Sequence, residues 1–172
     1  MTQLKVSDLV KKAERNYLKR MNKYDWFKEN PRVYKPALKP YKGLNVFKAS
    51  NVAFDPNTCV ATSYRWWIFV SRIGGKVVFN NYHYSMSTNK HQSKVDSLLS
   101  QLGIKIDVRF EAPKGLQDLQ AAVTHYENKI SSLIIAIQKP GTRAVKNRER
   151  ASEIKSHLKT IKTIKALIRK QK

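Results

Sequence analysis

The cations of this chain gather at its two ends, and that restricts where a core can form. Residues 1–49 carry 13 basic and 4 acidic side chains, residues 50–138 carry 9 and 6, and residues 139–172 carry 12 and 2. Two strongly basic ends therefore flank a nearly neutral middle, with a formal net charge of +22. Self-repulsion of that size opposes compaction unless a counter-charge is supplied. A polyanion supplies it effectively, because binding releases condensed counterions. The charge pattern points to nucleic acid as the partner, and an acidic protein is the other chemistry that meets the same need.

The middle can still bury a core. Of the 172 residues 41% are apolar and 10% aromatic, too many for a disordered basic tail. The expected organisation is a basic N-terminal helix and Pro-rich arm (1–49), a small α+β core (50–113), and a helical hairpin with a basic last helix (114–172). Cys59 is the only cysteine, so no disulfide closes within the chain and no Cys/His spacing suggests zinc. It reads as a small strand residue rather than a nucleophile. No cofactor is expected. A lone cysteine fits a reducing, intracellular setting, cytoplasm or nucleoid, or a virion component. No run approaches the ~18–20 apolar residues of a membrane span, and Met1 to Val10 lacks a signal-peptide core. Lysine outnumbers arginine 24 to 10, which favours point-charge contact with a phosphate backbone over base reading.

Residues 7–28 read as a helix. Ser7 is the expected N-cap, Asp8 sits at the positive end of the dipole, and Val10, Ala13, Tyr17, Met21 and Tyr24 form one apolar face. Trp26 and Phe27 are expected to dock its end on the body. Pro31, Pro36 and Pro40 exclude a regular helix or a central strand over 31–50, which reads as an extended basic arm with Tyr34 and Tyr41 among its lysines. Val60 to Val70 and Lys76 to Tyr84 read as a β-hairpin around Gly74-Gly75. A helix over 89–102 follows, with Ser85 to Thr88 cap-like and Gly103 as its C-cap. Ile104 to Phe110 alternates as a third strand. Leu116, Leu119, Val123, Tyr126, Ile130, Leu133 and Ile137 step by 3,4,3,4,3,4, a seam over three heptads. After Lys139-Pro140-Gly141, Thr142 caps a last helix over 143–170, with Ala151, Ile154, Leu158, Ile161, Ile164 and Ile168 inward. A short loop makes the two helices an antiparallel hairpin. The fold class is α+β: a small antiparallel sheet (the hairpin plus a third strand) packed with helices, and a long C-terminal antiparallel helical hairpin.

Catalytic candidates are thin. Asp107 and Glu111 near Lys114, with Asp96 upstream, suggest a small Mg²⁺-dependent nuclease. The spacing is wrong for it, because Arg109 stands where such sites carry lysine and Glu111 is three residues from Lys114. His83 and His91 read as a strand and a helix-face residue, and His125 and His157 flank the helical seam. No phosphate-binding Gly loop or dinucleotide fingerprint is present. No residue is assigned a catalytic or metal-binding role.

Binding candidates are richer. The expected phosphate contacts are Lys11, Lys12, Arg15, Lys19 and Lys23 on the first helix and Lys35, Lys39 and Lys42 on the arm. Arg143, Lys146, Arg150, Lys155, Lys159, Lys162, Lys165 and Arg169 supply them on the last helix. Trp66, Tyr82 and Tyr84 are candidate base-stacking residues. Trp66 and Trp67 point to opposite faces, and the outward one is expected to lie under the N-terminal helix or to meet a base. Asn80, Asn81, Asn89 and Gln92 cluster at the hairpin's end and suit base edges. The sequence therefore predicts a non-enzymatic nucleic-acid-binding protein, DNA slightly ahead of RNA because no RNA-module signature is visible. The alternative is an oligomeric assembly protein of virion or ribonucleoprotein type, associating through the 116–137 helix with its surplus Ile134 and Ile135. Lys-, Asn- and Ile-rich usage of this kind is met in AT-rich phage genomes.

Overall fold

A computed structural model describes residues 5–24, 38–41, 45–141 and 143–171. Its centre is a seven-stranded sheet in the order β1 to β7: β1 (Lys39–Pro40), β2 (Phe47–Ala49), β3 (Val52–Asp55), β4 (Val60–Ser63), β5 (Trp67–Ile73), β6 (Lys76–Asn80) and β7 (Val108–Phe110). Four helices are described: α1 (Val6–Met21), α2 (Met86–Leu102), α3 (Leu119–Gln138) and α4 (Ala144–Arg169). The α+β class holds, but the small antiparallel sheet of a hairpin plus one strand is corrected on size and on direction.

The size was underestimated for two local reasons. The run from Val60 to Val70 is two strands, because Tyr64 and Arg65 both take positive φ (52° and 69°) and reverse the chain. The stretch expected as an arm also pairs into the sheet where it is described: Lys39 and Pro40 face Lys48 and Phe47. Pro40 is tolerated there because β1 is an edge. The direction changes because α2 carries the chain back past β6, so β7 runs parallel to it, as a crossover connection requires. The start of β7 is pinned to β6: the Val77 N–H donates to Asp107 Oδ2 at 2.8 Å and the Asp107 N–H to the Val77 carbonyl at 2.9 Å.

Each face of the sheet buries its own core. On one face Phe47, Phe54, Trp67, Phe69 and Phe79 meet Leu9 and Ala13 of α1 and Val95, Leu98, Leu99 and Leu102 of α2. On the other, Ile73, Val78 and Phe110 meet Leu119, Val123 and Tyr126 of α3 and Ile161, Ile164 and Leu167 of α4. Alternation along β6 divides Val77 and Phe79 from Val78. A bulge in β5, where Ala61 pairs Val70 and Thr62 pairs Ile68, turns Phe69 and Val70 to the same side.

The caps differ in detail from expectation. α1 begins at Val6, so Ser7 lies inside it, and the Val6 N–H is satisfied by Asn45 Oδ1 at 2.6 Å. For α2, Ser85 and Thr88 form a reciprocal capping box and Gly103 closes the helix at φ 70°. α3 starts at Leu119, capped by Asp118, because Gly115 at φ 83° breaks the run from 114. In α4 the inward phase passes through His157, whose ring lies 5.2 Å from that of Tyr126, and leaves Leu158 53% exposed. Both positions suit helical spacing, and packing against Tyr126 chose between them. Trp26, Phe27, Lys35, Lys42, Thr142 and residues 31–37 lie outside the described residues.

Candidate nucleic-acid interface

The outward side of α4 is built by helix periodicity. With Ile154, His157, Ile161, Ile164 and Ile168 turned inward, Arg148, Lys155, Lys159, Lys162 and Arg169 fall on the opposite side, and all five are exposed. At 1.5 Å per residue the stripe runs about 30 Å. The helix's two carboxylates lie off this stripe, and Glu153 Oε1 is 3.4 Å from His157 Nε2. Arg143 and Lys146 are exposed in and before the first turn. Lys165 differs from its neighbours, since its ammonium is 3.6 Å from Glu127. Arg150 also differs: it is half-buried and donates to the Ala136 carbonyl at 2.8 Å, satisfying an end group of α3. It holds the hairpin tip together.

The same side of the sheet is open beside the hairpin. Cross-strand pairing aligns Lys39, Lys48, Ala53, Thr62 and Ile68 in one row, and Ile68 packs against the α3–α4 core. Lys39, Lys48 and the hairpin therefore share one face. Tyr41, Lys48, Asn51, Thr62 and Arg65 line a groove of about 200 Å³ on it. The Lys48 ammonium lies 4.7 Å from the centroid of the Tyr41 ring. Lys11, Lys12, Arg15 and Lys19 are exposed on α1, which packs on the opposite face, and Lys23 is exposed just past its end, because the helix stops at Met21 rather than running to 28. The cations of α1 and those of α4 thus lie on opposite sides of the sheet, while Lys39 and Lys48, from the same basic end as α1, share the α4 side.

Two of the three aromatic candidates come together. Trp66 and Tyr84 are each 54% exposed and meet edge-to-face at 6.0 Å, while Trp67 is buried. Trp66 is not covered by the N-terminal helix. Tyr82 is half-buried instead, edge-on to His125 at 5.6 Å. Of the amides, Asn80 is fully buried: its side chain donates to the Ala112 carbonyl and accepts from the Ala112 and Tyr82 N–H groups. Gln92 donates to the Asn80 and Tyr82 carbonyls. Asn80 ties the end of β6 to the residues after β7, and Gln92 ties it to α2.

The acids and histidines are engaged elsewhere. A cleft of about 460 Å³ at the ends of β6 and β7 is lined by Asn81, His83, Asn89, Asp96, Arg109 and Glu111. Asp96 pairs with Arg109 at 2.7 Å. Glu111 accepts from His125 at 2.8 Å and from Lys129. Burial alone would raise the Glu111 carboxyl, but these hydrogen bonds and charges outweigh it and hold the carboxyl below its ordinary range. Asp107 lies at the start of β7 rather than with them. His91 is buried on Ser63 Oγ at 2.7 Å, and burial lowers its pKa. Cys59 is buried, which raises its thiol pKa away from nucleophilic character. Among the described residues no group of three or more His, Cys, Asp or Glu is placed to hold a metal ion. None of the described helices is long and apolar enough to cross a membrane.

Sequence reasoning did not single out Arg148 and Arg65, and it placed Lys48 only within the basic arm. Arg148 sat in the Arg143–Arg150 run, and only the phase of α4 separates it from Arg150. Arg65 falls inside the Val60–Val70 run, whose composition predicts one strand, although Ser63-Tyr64-Arg65 interrupts the apolar pattern there. The chain matches no protein-family model, no curated protein and no solved structure.

Proposed function

We propose that the protein binds nucleic acid without catalysis, holding the phosphate backbone on the sheet face that carries the helical hairpin. The observation that carries this is the α4 stripe of five exposed cations with no carboxylate on it. A solvated helix face ordinarily interleaves both signs, and this one does not. Lys39, Lys48 and Arg65 add cations on the open part of the sheet face that carries the hairpin. Phosphate contacts of this kind position a ligand without reading its sequence. DNA is slightly preferred to RNA because the sequence carries no RNA-module signature.

The test is binding to a labelled oligonucleotide across salt concentrations. About 6–10 phosphate contacts predict a loss of roughly 10³–10⁵ in affinity between 50 and 200 mM salt. Affinity that stays flat over that range removes the proposal.

A second reading has one observation in its favour. Leu116, Leu119, Val123 and Tyr126 of the 116–137 seam are buried in the chain's own core, but Ile134 and Ile135 remain exposed. They offer an apolar patch for self-association in an assembly protein. Light scattering after nuclease treatment separates the two: a nucleic-acid-free multimer favours assembly, and a monomer favours binding.

A further inference from the structure

We infer that the ligand of this face is single-stranded, with unpaired bases stacked on Trp66 and Tyr84 and the backbone led by Arg65 into the Tyr41–Lys48 groove. This rests on the phosphate-binding reading and adds strandedness to it.

Three observations carry it. The first is the exposed aromatic pair. Tyr84 also packs 6.0 Å from the buried Trp67, so it backs the pair against the core, and Trp66, which meets Tyr84 edge-to-face, is the ring that offers a face to a base. Trp66 and Tyr84 are both more than half exposed, whereas the neighbouring Trp67 lies within the core and Tyr82 is turned toward His125. Within a duplex every base face is already stacked on its neighbour. A protruding indole finds a partner face only where bases are unpaired, and such stacking is tolerant of sequence.

The second is the turn that presents the pair. Residues 64–66 join β4 to β5, and Tyr64 and Arg65 both hold the left-handed region that favours glycine or asparagine. Both are held there by their surroundings: the Tyr64 ring packs 5.5 Å from that of His91, and Arg65 lines the groove. The turn is fixed by the Tyr64 N–H donating to the Asn51 carbonyl at 2.7 Å. Gln117 holds its other side, donating to the Trp66 carbonyl at 3.3 Å and accepting from the Ile68 N–H at 3.2 Å. The platform is therefore held in place before any ligand arrives.

The third is continuity of charge. Arg65 belongs to the turn and also lines the groove with Tyr41 and Lys48. Arg65 is thus the residue that joins the turn carrying Trp66 to the groove where Lys48 lies over Tyr41. A groove of about 200 Å³ admits a single ring or phosphodiester unit. Asp55, the one carboxylate in residues 38–71, lies on the same face two positions beyond Ala53 and accepts from the Asn57 N–H at 2.9 Å.

The experiment uses the full chain and two fluorescent probes, a 20-nucleotide oligo-dT and a 20-base-pair duplex of mixed sequence, at one fixed salt. The wild type is expected to bind the single strand more tightly. Trp66→Ala/Tyr84→Ala is expected to weaken single-strand binding at least tenfold and to change duplex binding less than twofold. Trp66→Phe, which keeps a π-face, is expected to retain most of the affinity. Trp66→Leu keeps the bulk without that face and is expected to lose it, so a double variant that fails to fold leaves the test standing. Equal binding of both probes, with the Trp66 variants unchanged, overturns the single-strand inference and leaves the phosphate reading intact. Failure to bind either probe at low salt overturns the phosphate reading itself.

Discussion

Replacing Lys155, Lys159 and Lys162 together by Gln removes three cations from the outward stripe of α4 and leaves its buried seam untouched. Gln and Lys have similar helix propensity, so the fold is expected to lose no more than about 0.5 kcal/mol. The effect on binding follows from counterion release. The five stripe cations with Lys39, Lys48 and Arg65 make eight candidate phosphate contacts. Each contributes about 0.7 to the slope of log K against log salt for a single strand, giving about −5.6 and a fall of roughly 10³ between 50 and 200 mM. The triple variant keeps five contacts, a slope of about −3.5 and a fall of roughly 10². The matched control is Lys11, Lys12 and Lys19→Gln on α1, which removes the same charge from the opposite face. A helix layer is about 10 Å thick, and the sheet lies between the two surfaces. The α1 cations are therefore separated from the ligand by more than the Debye length, about 10 Å at 0.1 M salt. The control slope is expected to stay within about 0.5 of wild type. Anisotropy titrations at four or five salt concentrations measure all three slopes. An α1 triple that flattens the slope as much as the α4 triple refutes the assignment of faces, and a slope unmoved by either refutes the counterion account.

Three further outcomes follow from the fold. His91 has a folded pKa below its ordinary 6.5, so its contribution to stability is present above that value and is lost as pH falls through the folded pKa. Glu111, also depressed, loses its contribution lower down, below its ordinary 4.5. Urea melts between pH 7 and 3 are expected to show both declines, and His91→Gln is expected to remove the upper one; a wild type as stable at pH 5 as at pH 7 contradicts this. Asn80→Ala leaves the Ala112 N–H and carbonyl and the Tyr82 N–H without their partner, and is expected to cost about 3 kcal/mol or more in denaturant unfolding. Arg150→Ala removes the bond to the Ala136 carbonyl and is expected to lower stability by about 1 kcal/mol. Because Arg150 faces its own chain, the salt slope of binding should shift by less than one phosphate equivalent, and a full unit's shift would place it among the phosphate ligands.

Local pattern made α1, α2 and the helical hairpin legible. Each rests on side chains recurring every three or four residues and on chemistry at the ends, as with Ser85, Thr88 and Gly103 around α2. The Gly74-Gly75 turn was legible for the same reason, since the demand for positive φ is met by the residues that meet it most easily. The Tyr64-Arg65 turn was not, because its residue types argue against the conformation they hold. That one turn splits a strand in two and places Arg65 and Trp66 outside.

The sequence by itself determined which residues are cationic, which are apolar and at what helical phase they repeat, because these are properties of side chains and short spacings. Only the tertiary structure decided which cations share a surface. The sheet places α1 and α4 on opposite faces, so two basic helices from ends of similar charge become unequal as candidates. It also turns Arg150 inward and Arg148 outward within one basic run. Packing against Tyr126 selects His157 over Leu158 for the interior, and the parallel return of β7 brings Asp96, Arg109 and Glu111 to one cleft. Each of these depends on contacts between segments distant in sequence, whose geometry no local spacing specifies.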